Sequence, residues 1–123
     1  MPRRTPRAPG GDEALIRARR AAAAADAKRA EDVVVLDLRG QTLVTDYFVI
    51  CTGTSRVQLR AIVEAITEAL AAPGLPLQEG DEASQWVLLD YGDVVVHVFG
   101  PETRAFYRLE RLWGDAPEVP WRE

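Results

Sequence analysis

Between Trp86 and Phe99 the chain reads WVLLDYGDVVVHVF. Two apolar runs, Gln85–Asp90 and Asp93–Phe99, flank Tyr91-Gly92, and this predicts an antiparallel hairpin closed by a tight turn. Side chains alternate between the two sides of a strand. A loop centred on Tyr91-Gly92 sets Trp86 opposite His97 and Leu88 opposite Val95, with Phe99 on the same side. The other side carries Val87, Leu89, Val94, Val96 and Val98, an aliphatic set suited to a core. A three-residue loop with a bulge would break that pairing. The Trp/His/Phe side reads either as a partner-binding patch or as a second core face under a helix, and the pattern alone leaves both open.

Working outward, Pro101 suits the first turn of a last helix, in which Phe106, Leu109 and Trp113 share one face and Gly114 marks the end. Upstream, Asp32–Leu38 and Asp46–Thr52 are β-branched, apolar strands. Ser55 followed by Gln58 matches a capping box, opening a helix to about residue 72 with Leu59, Ile62, Val63, Ile66 and Leu70 on one side. Pro73-Gly74 ends it, and residues 75–79 form a short candidate strand. Asp12 is a candidate N-cap for an alanine-rich helix from Glu13 to about residue 30, whose thin apolar face requires close packing. This order predicts an α/β (α+β) domain, with a small mixed sheet of four to five strands and about three helices.

The 123 residues suffice for one core. Residues 1–11 read as a solvated basic tail, 12–114 as the domain, and 115–123 as a tail without regular structure. Residues 1–20 carry a net charge of +4 and the remaining 103 a net charge of −8. That acidic body argues against nucleic acid as the main ligand and suits a basic protein partner, leaving RNA contact peripheral. No secretory signal or membrane span is legible, and the single cysteine, Cys51, fits a reducing compartment, so the expectation is a cytoplasmic protein.

Candidate chemistry is sparse. Asp90 and Asp93 flank the turn, where aspartate is favoured for backbone reasons. His97 has no nucleophile beside it in sequence, and Cys51 sits mid-strand where a small buried hydrophobe is expected. One histidine and one cysteine make a metal centre improbable on composition. Gly53-Thr54-Ser55 precedes a helix but lacks a phosphate-loop pattern, and no paired carboxylates follow. No catalytic, cofactor or metal residues are therefore assigned, although a nucleotidyltransferase-like enzyme using Gly53–Ser55 with Asp90 and Asp93 is a distinct alternative.

DVVVLDLRG, TDYFVICTGTS, the hairpin after Glu79-Gly80, and R-x-F-Y-x-L-E-x-L-W from Arg104 closely resemble the Iojap family, the bacterial ribosomal silencing factors called RsfS. The resemblance covers about residues 12–119. It implies a nucleotidyltransferase-like core without catalytic carboxylates, binding to the fourteenth protein of the large ribosomal subunit, and steric blocking of small-subunit joining when nutrients are scarce. A homodimer in the free state and a role in large-subunit assembly are also implied. By position it nominates Trp86, Asp90, Tyr91, Gly92, Asp93, His97, Phe99, Tyr107, Leu109, Leu112 and Trp113 as the interface or its support, with Trp86 as the expected anchor. One departure is visible: the family usually places arginine where Val57 stands, whereas here Arg56 comes one place early.

Overall fold

The structure is a computed structural model describing residues 13–71 and 74–122; the basic tail, the Asp12 cap and Pro73 fall outside these residues. The elements are α1 (Glu13–Ala27), β1 (Glu31–Asp37), β2 (Tyr47–Thr52), α2 (Arg56–Ala69), β3 (Leu77–Glu79), β4 (Trp86–Asp90), β5 (Val94–Phe99), α3 (Pro101–Tyr107) and α4 (Leu109–Leu112). The strands form one sheet in the order β1-β2-β5-β4-β3. Only β2 and β5 run parallel, so the sheet is mixed and the domain is α+β.

Alternation sorts the strand residues as expected. Val35, Tyr47, Val49, Cys51, Val87, Leu89, Val94, Val96 and Val98 share the core with α1 and α2. Ala14, Ala18, Ala21, Ala22 and Ala25 are wholly buried, so α1 compensates for its small side chains by lying close to its neighbours. Leu59, Ile62, Ile66 and Leu70 complete the layer from α2. Ser55 caps α2, its Oγ accepting from the Gln58 N–H at 3.0 Å. The Gln58 side chain does not reach back to Ser55. Its Oε1 accepts from the Thr54 N–H, and its amide donates to the carbonyls of Lys28 and Arg29, joining the end of α1 to the start of α2.

The hairpin is shifted by two residues from the expected pairing. Trp86 pairs with Phe99 and Leu88 with His97. The turn is Gly92-Asp93, closed by the Tyr91 N–H donating to the Val94 carbonyl at 2.9 Å. Gly92 supplies the positive φ of +89° that this turn requires. The Asp93 carbonyl accepts from the N–H groups of Asp46 and of Tyr47 at the start of β2, which ties the turn to that strand. A shift of two residues preserves which side each residue occupies.

On the second sheet face, Leu36, Leu38, Ile50 and Phe99 pack with Val34, Phe48, Trp86, Leu109, Trp113 and Ala116. The last helix is broken, because Arg108 adopts the left-handed conformation (φ +50°) and separates α3 from α4. Residues 115–122 contain no helix or strand, yet they are held beside β1. The Asp37 N–H donates to the Pro117 carbonyl, the Val119 N–H to the Val35 carbonyl, and the Trp121 indole to the Val33 carbonyl at 3.1 Å. Ala116 packs on the second face while Val119 and Trp121 pack on the first, so this segment passes around β1 from one face to the other.

Candidate partner-binding site

The site begins where β5 meets α3. Gly100 is the N-cap of α3, with Pro101 in its first turn, and its N–H donates to the Gln85 carbonyl at 2.8 Å. A Cβ on Gly100 would displace the Gln85 side chain, so glycine lets α3 start beside Gln85 without moving it. From α3, the buried Arg104 Nη1 donates to the Asp32 carbonyl at 2.6 Å and to Thr52 Oγ1 at 2.9 Å, while its Nε meets Glu110 Oε2 at 3.1 Å. One guanidinium therefore ties α3 and α4 to the ends of β1 and β2.

This anchoring turns Leu109 and Trp113 inward and leaves Phe106, Tyr107 and Leu112 in solvent, with Phe106 79% and Leu112 74% exposed. The expectation that Phe106 shares a buried face with Leu109 and Trp113 does not hold, because the turn at Arg108 interrupts the helical phase. An aromatic series runs from the surface into the core. Phe106 meets Tyr107 edge-on at 5.0 Å, Tyr107 lies 4.6 Å from Trp86, and Trp86 lies 4.9 Å from Phe99. His97 continues it, contacting Phe48 at 4.5 Å, and Phe48 meets Trp113 edge-on at 5.9 Å.

The nominated residues fall into two groups. Trp86, Tyr107, Leu109 and Trp113 belong to this face, supported from beneath by the buried His97 and Phe99, while Leu112 is exposed on α4. Asp90, Tyr91, Gly92 and Asp93 lie at the turn. There Asp90 Oδ1 accepts from the Gly92 N–H at 2.8 Å, and Asp93 pairs with Arg17 of α1 at 3.4 Å. Tyr91 packs into the α1 layer beneath the Arg17 guanidinium, and burial pushes its phenol up from its ordinary pKa. The two aspartates thus fulfil turn and ion-pair roles.

Electrostatics at the histidine and cysteine favour packing over chemistry. Burial lowers the His97 pKa to about 4, leaving a neutral ring whose Nδ1 accepts from the Trp86 indole at 3.2 Å. Burial pushes the Cys51 thiol up to about 12, so it is not a nucleophile near neutral pH. Cys51 belongs to the α1–α2 core while His97 pairs with Leu88 on the opposite sheet face, which separates any Cys–His dyad. Among the described residues no three His, Cys, Asp or Glu side chains form a potential metal group. No helix among them is long and apolar enough to cross a membrane.

The family model for the ribosomal silencing factor during starvation, RsfS, matches residues 12–123. The chain belongs to the ribosomal silencing factor family. It is 52% identical over 99 residues to the ribosomal silencing factor RsfS of Bacillus subtilis, covering 79% of this chain and 84% of that one. A crystal structure of a protein from Chromobacterium violaceum superposes with a TM-score of 0.78 at 34% identity, covering 83% and 87% of the two chains. The mouse protein named mitochondrial assembly of ribosomal large subunit protein 1 is 36% identical over 92 residues, which is 70% of this chain and 40% of that protein. The relative from Halalkalibacterium halodurans, 48% identical over 98 residues, bears the same name, ribosomal silencing factor RsfS.

Two contributors escaped sequence reasoning. The separation of Phe106 from the face of Leu109 and Trp113 is not legible, because nothing in RAFYRLERLW signals a break at Arg108. Arg104 stands in the motif, but its burial was not legible; an arginine six residues before a glutamate fits neither helical ion-pair spacing.

Proposed function

We propose that this protein silences translation without catalysis, using the α3–α4 face to hold the large ribosomal subunit where the small subunit must dock. The observation carrying this reading is the exposed pair Phe106–Tyr107, stacked through Trp86 onto a rigid aromatic core. Aromatic anchors with little side-chain freedom to lose are the usual centres of protein interfaces. The partner is the fourteenth large-subunit protein, with joining blocked by bulk in the cytoplasm, and the free form is a homodimer. An interface of about 800 Å² per partner would suffice, since blocking needs only affinity and volume. The turn residues Asp90 to Asp93 contribute a peripheral contact or support.

The test is a sucrose gradient of separated subunits mixed with and without the protein. Fewer whole ribosomes, with the protein migrating with large subunits, is the expected result; undiminished joining at saturating protein sinks the reading. A second reading, assembly of the large subunit, is favoured by the name of the mouse relative. Co-migration with immature particles in preference to mature subunits would select it.

A further inference from the structure

We propose a second contact surface, a groove between α1 and the C-terminal segment that takes the phosphate backbone of RNA. The groove, about 590 Å³, is lined by Ile16, Arg19, Arg20, Ala23, Asp26, Trp121 and Arg122. It lies on the α1 side of the sheet, away from the α3–α4 face. Its lining sets three arginines against one aspartate in a chain of net charge −4, so its formal charge is opposite in sign to that of the whole chain.

The arrangement fits a nucleic-acid backbone better than an acidic peptide. Trp121 is fixed by its bond to the Val33 carbonyl and carries the Arg122 guanidinium 4.5 Å from its ring centre. Arg122 keeps only a long 3.4 Å pair with Asp26, Arg19 spends one N–H on the Pro120 carbonyl, and Arg20 is exposed. Planar guanidiniums match phosphate oxygens bidentately, and the half-buried Trp121 indole holds the Arg122 guanidinium beside the groove. Arg3, Arg4 and Arg7 stand upstream of Glu13, where α1 begins, and add charge of the same sign in sequence. This surface is independent of the α3–α4 reading; only the identity of the physiological RNA rests on it.

The experiment is fluorescence anisotropy of the full chain with a labelled oligouridylate of about 20 nucleotides, across a salt series, with a labelled polyglutamate of similar length in parallel. The wild type should bind the RNA with strong salt dependence and the polyglutamate more weakly. Replacing Arg19, Arg20 and Arg122 together by alanine should make the log–log salt slope shallower by about 2, at about 0.7 per lost phosphate contact on a single strand. Arg20→Glu, on an exposed side chain, should weaken RNA binding while leaving the melting temperature unchanged. No RNA binding at low salt, an unchanged slope in the triple variant, or equal affinity for polyglutamate would each overturn the proposal. A Phe106→Ala/Tyr107→Ala variant should keep its RNA binding, so failure of the partner-face reading registers separately as loss of subunit binding alone.

Discussion

The Trp86 indole donates to Nδ1 of His97 at 3.2 Å, diagonally across β4 and β5, while Nε2 of the same ring is buried with no hydrogen-bond partner. The bond fixes the tautomer with the proton on Nε2. The ring is thereby held neutral beneath the aromatic face formed by Trp86 and Tyr107.

Stability should therefore fall in mild acid. The folded pKa of His97 is about 4, against 6.5 for the free side chain, so the unfolded chain binds the extra proton between these values. The contribution is complete above about pH 6.5 and is lost as pH falls through 4, amounting to roughly 3 kcal/mol at 1.36 kcal/mol per pH unit. Urea unfolding of wild type and His97→Leu across this window checks it. A wild-type curve no steeper than the variant's would exclude the mechanism.

Arg104→Met should destabilise the fold by about 3 kcal/mol, since it strands Glu110 and removes the donor to Thr52 and the Asp32 carbonyl. Because the anchor aims α3 and α4, subunit binding should weaken along with stability. Chemical denaturation and co-sedimentation read the two effects, and a fully stable variant would show that the guanidinium contributes nothing net.

Phe106→Ala should leave stability within about 0.5 kcal/mol, as surface changes do, and Tyr107→Ala should cost about 1 kcal/mol because its ring packs on Trp86. Each should weaken binding to large subunits, the pair together by about 2 kcal/mol or roughly thirtyfold. Trp86→Ala is a poorer probe, because the indole also supports Phe99, His97 and Tyr107. Retained co-sedimentation of the folded double variant would remove α3–α4 from the interface.

The two faces of the hairpin were legible because alternation in WVLLDYGDVVVHVF depends only on strand geometry. The pairing was not, since it is set by Asp93 bonding to Asp46 and Tyr47, distant in sequence. Helix α2 and its cap at Ser55 were readable from local spacing. The break at Arg108 was not, because a non-glycine residue in the left-handed region leaves no mark in composition. Of the site, the motif nominated Tyr107 and Trp113 by position, but the outward face of Phe106 depends on the turn at Arg108 and on the tertiary contacts of Arg104. Residues 115–122 looked like a tail because Pro117 and Pro120 hide the inward alternation of Val119 and Trp121.

Trp121→Ala should cost about 2 kcal/mol, from lost packing and from leaving the Val33 carbonyl without its donor. Faster amide exchange in β1 should accompany the loss. An unchanged unfolding midpoint would mean that the C-terminal segment lies on β1 without holding it.

The wrapped β1 leaves the sheet lopsided. Its backbone groups on that border are engaged by residues 117–119, whereas β3 at the opposite border lies uncovered, with Leu75 86% and Leu77 74% exposed. An open border is a template for another strand. Among the described residues β3 is the one open border, so two molecules joined along it would leave no described rim free for a third. Strand-mediated association along the described borders would thus stop at two, since residues 117–119 occupy the rim of β1.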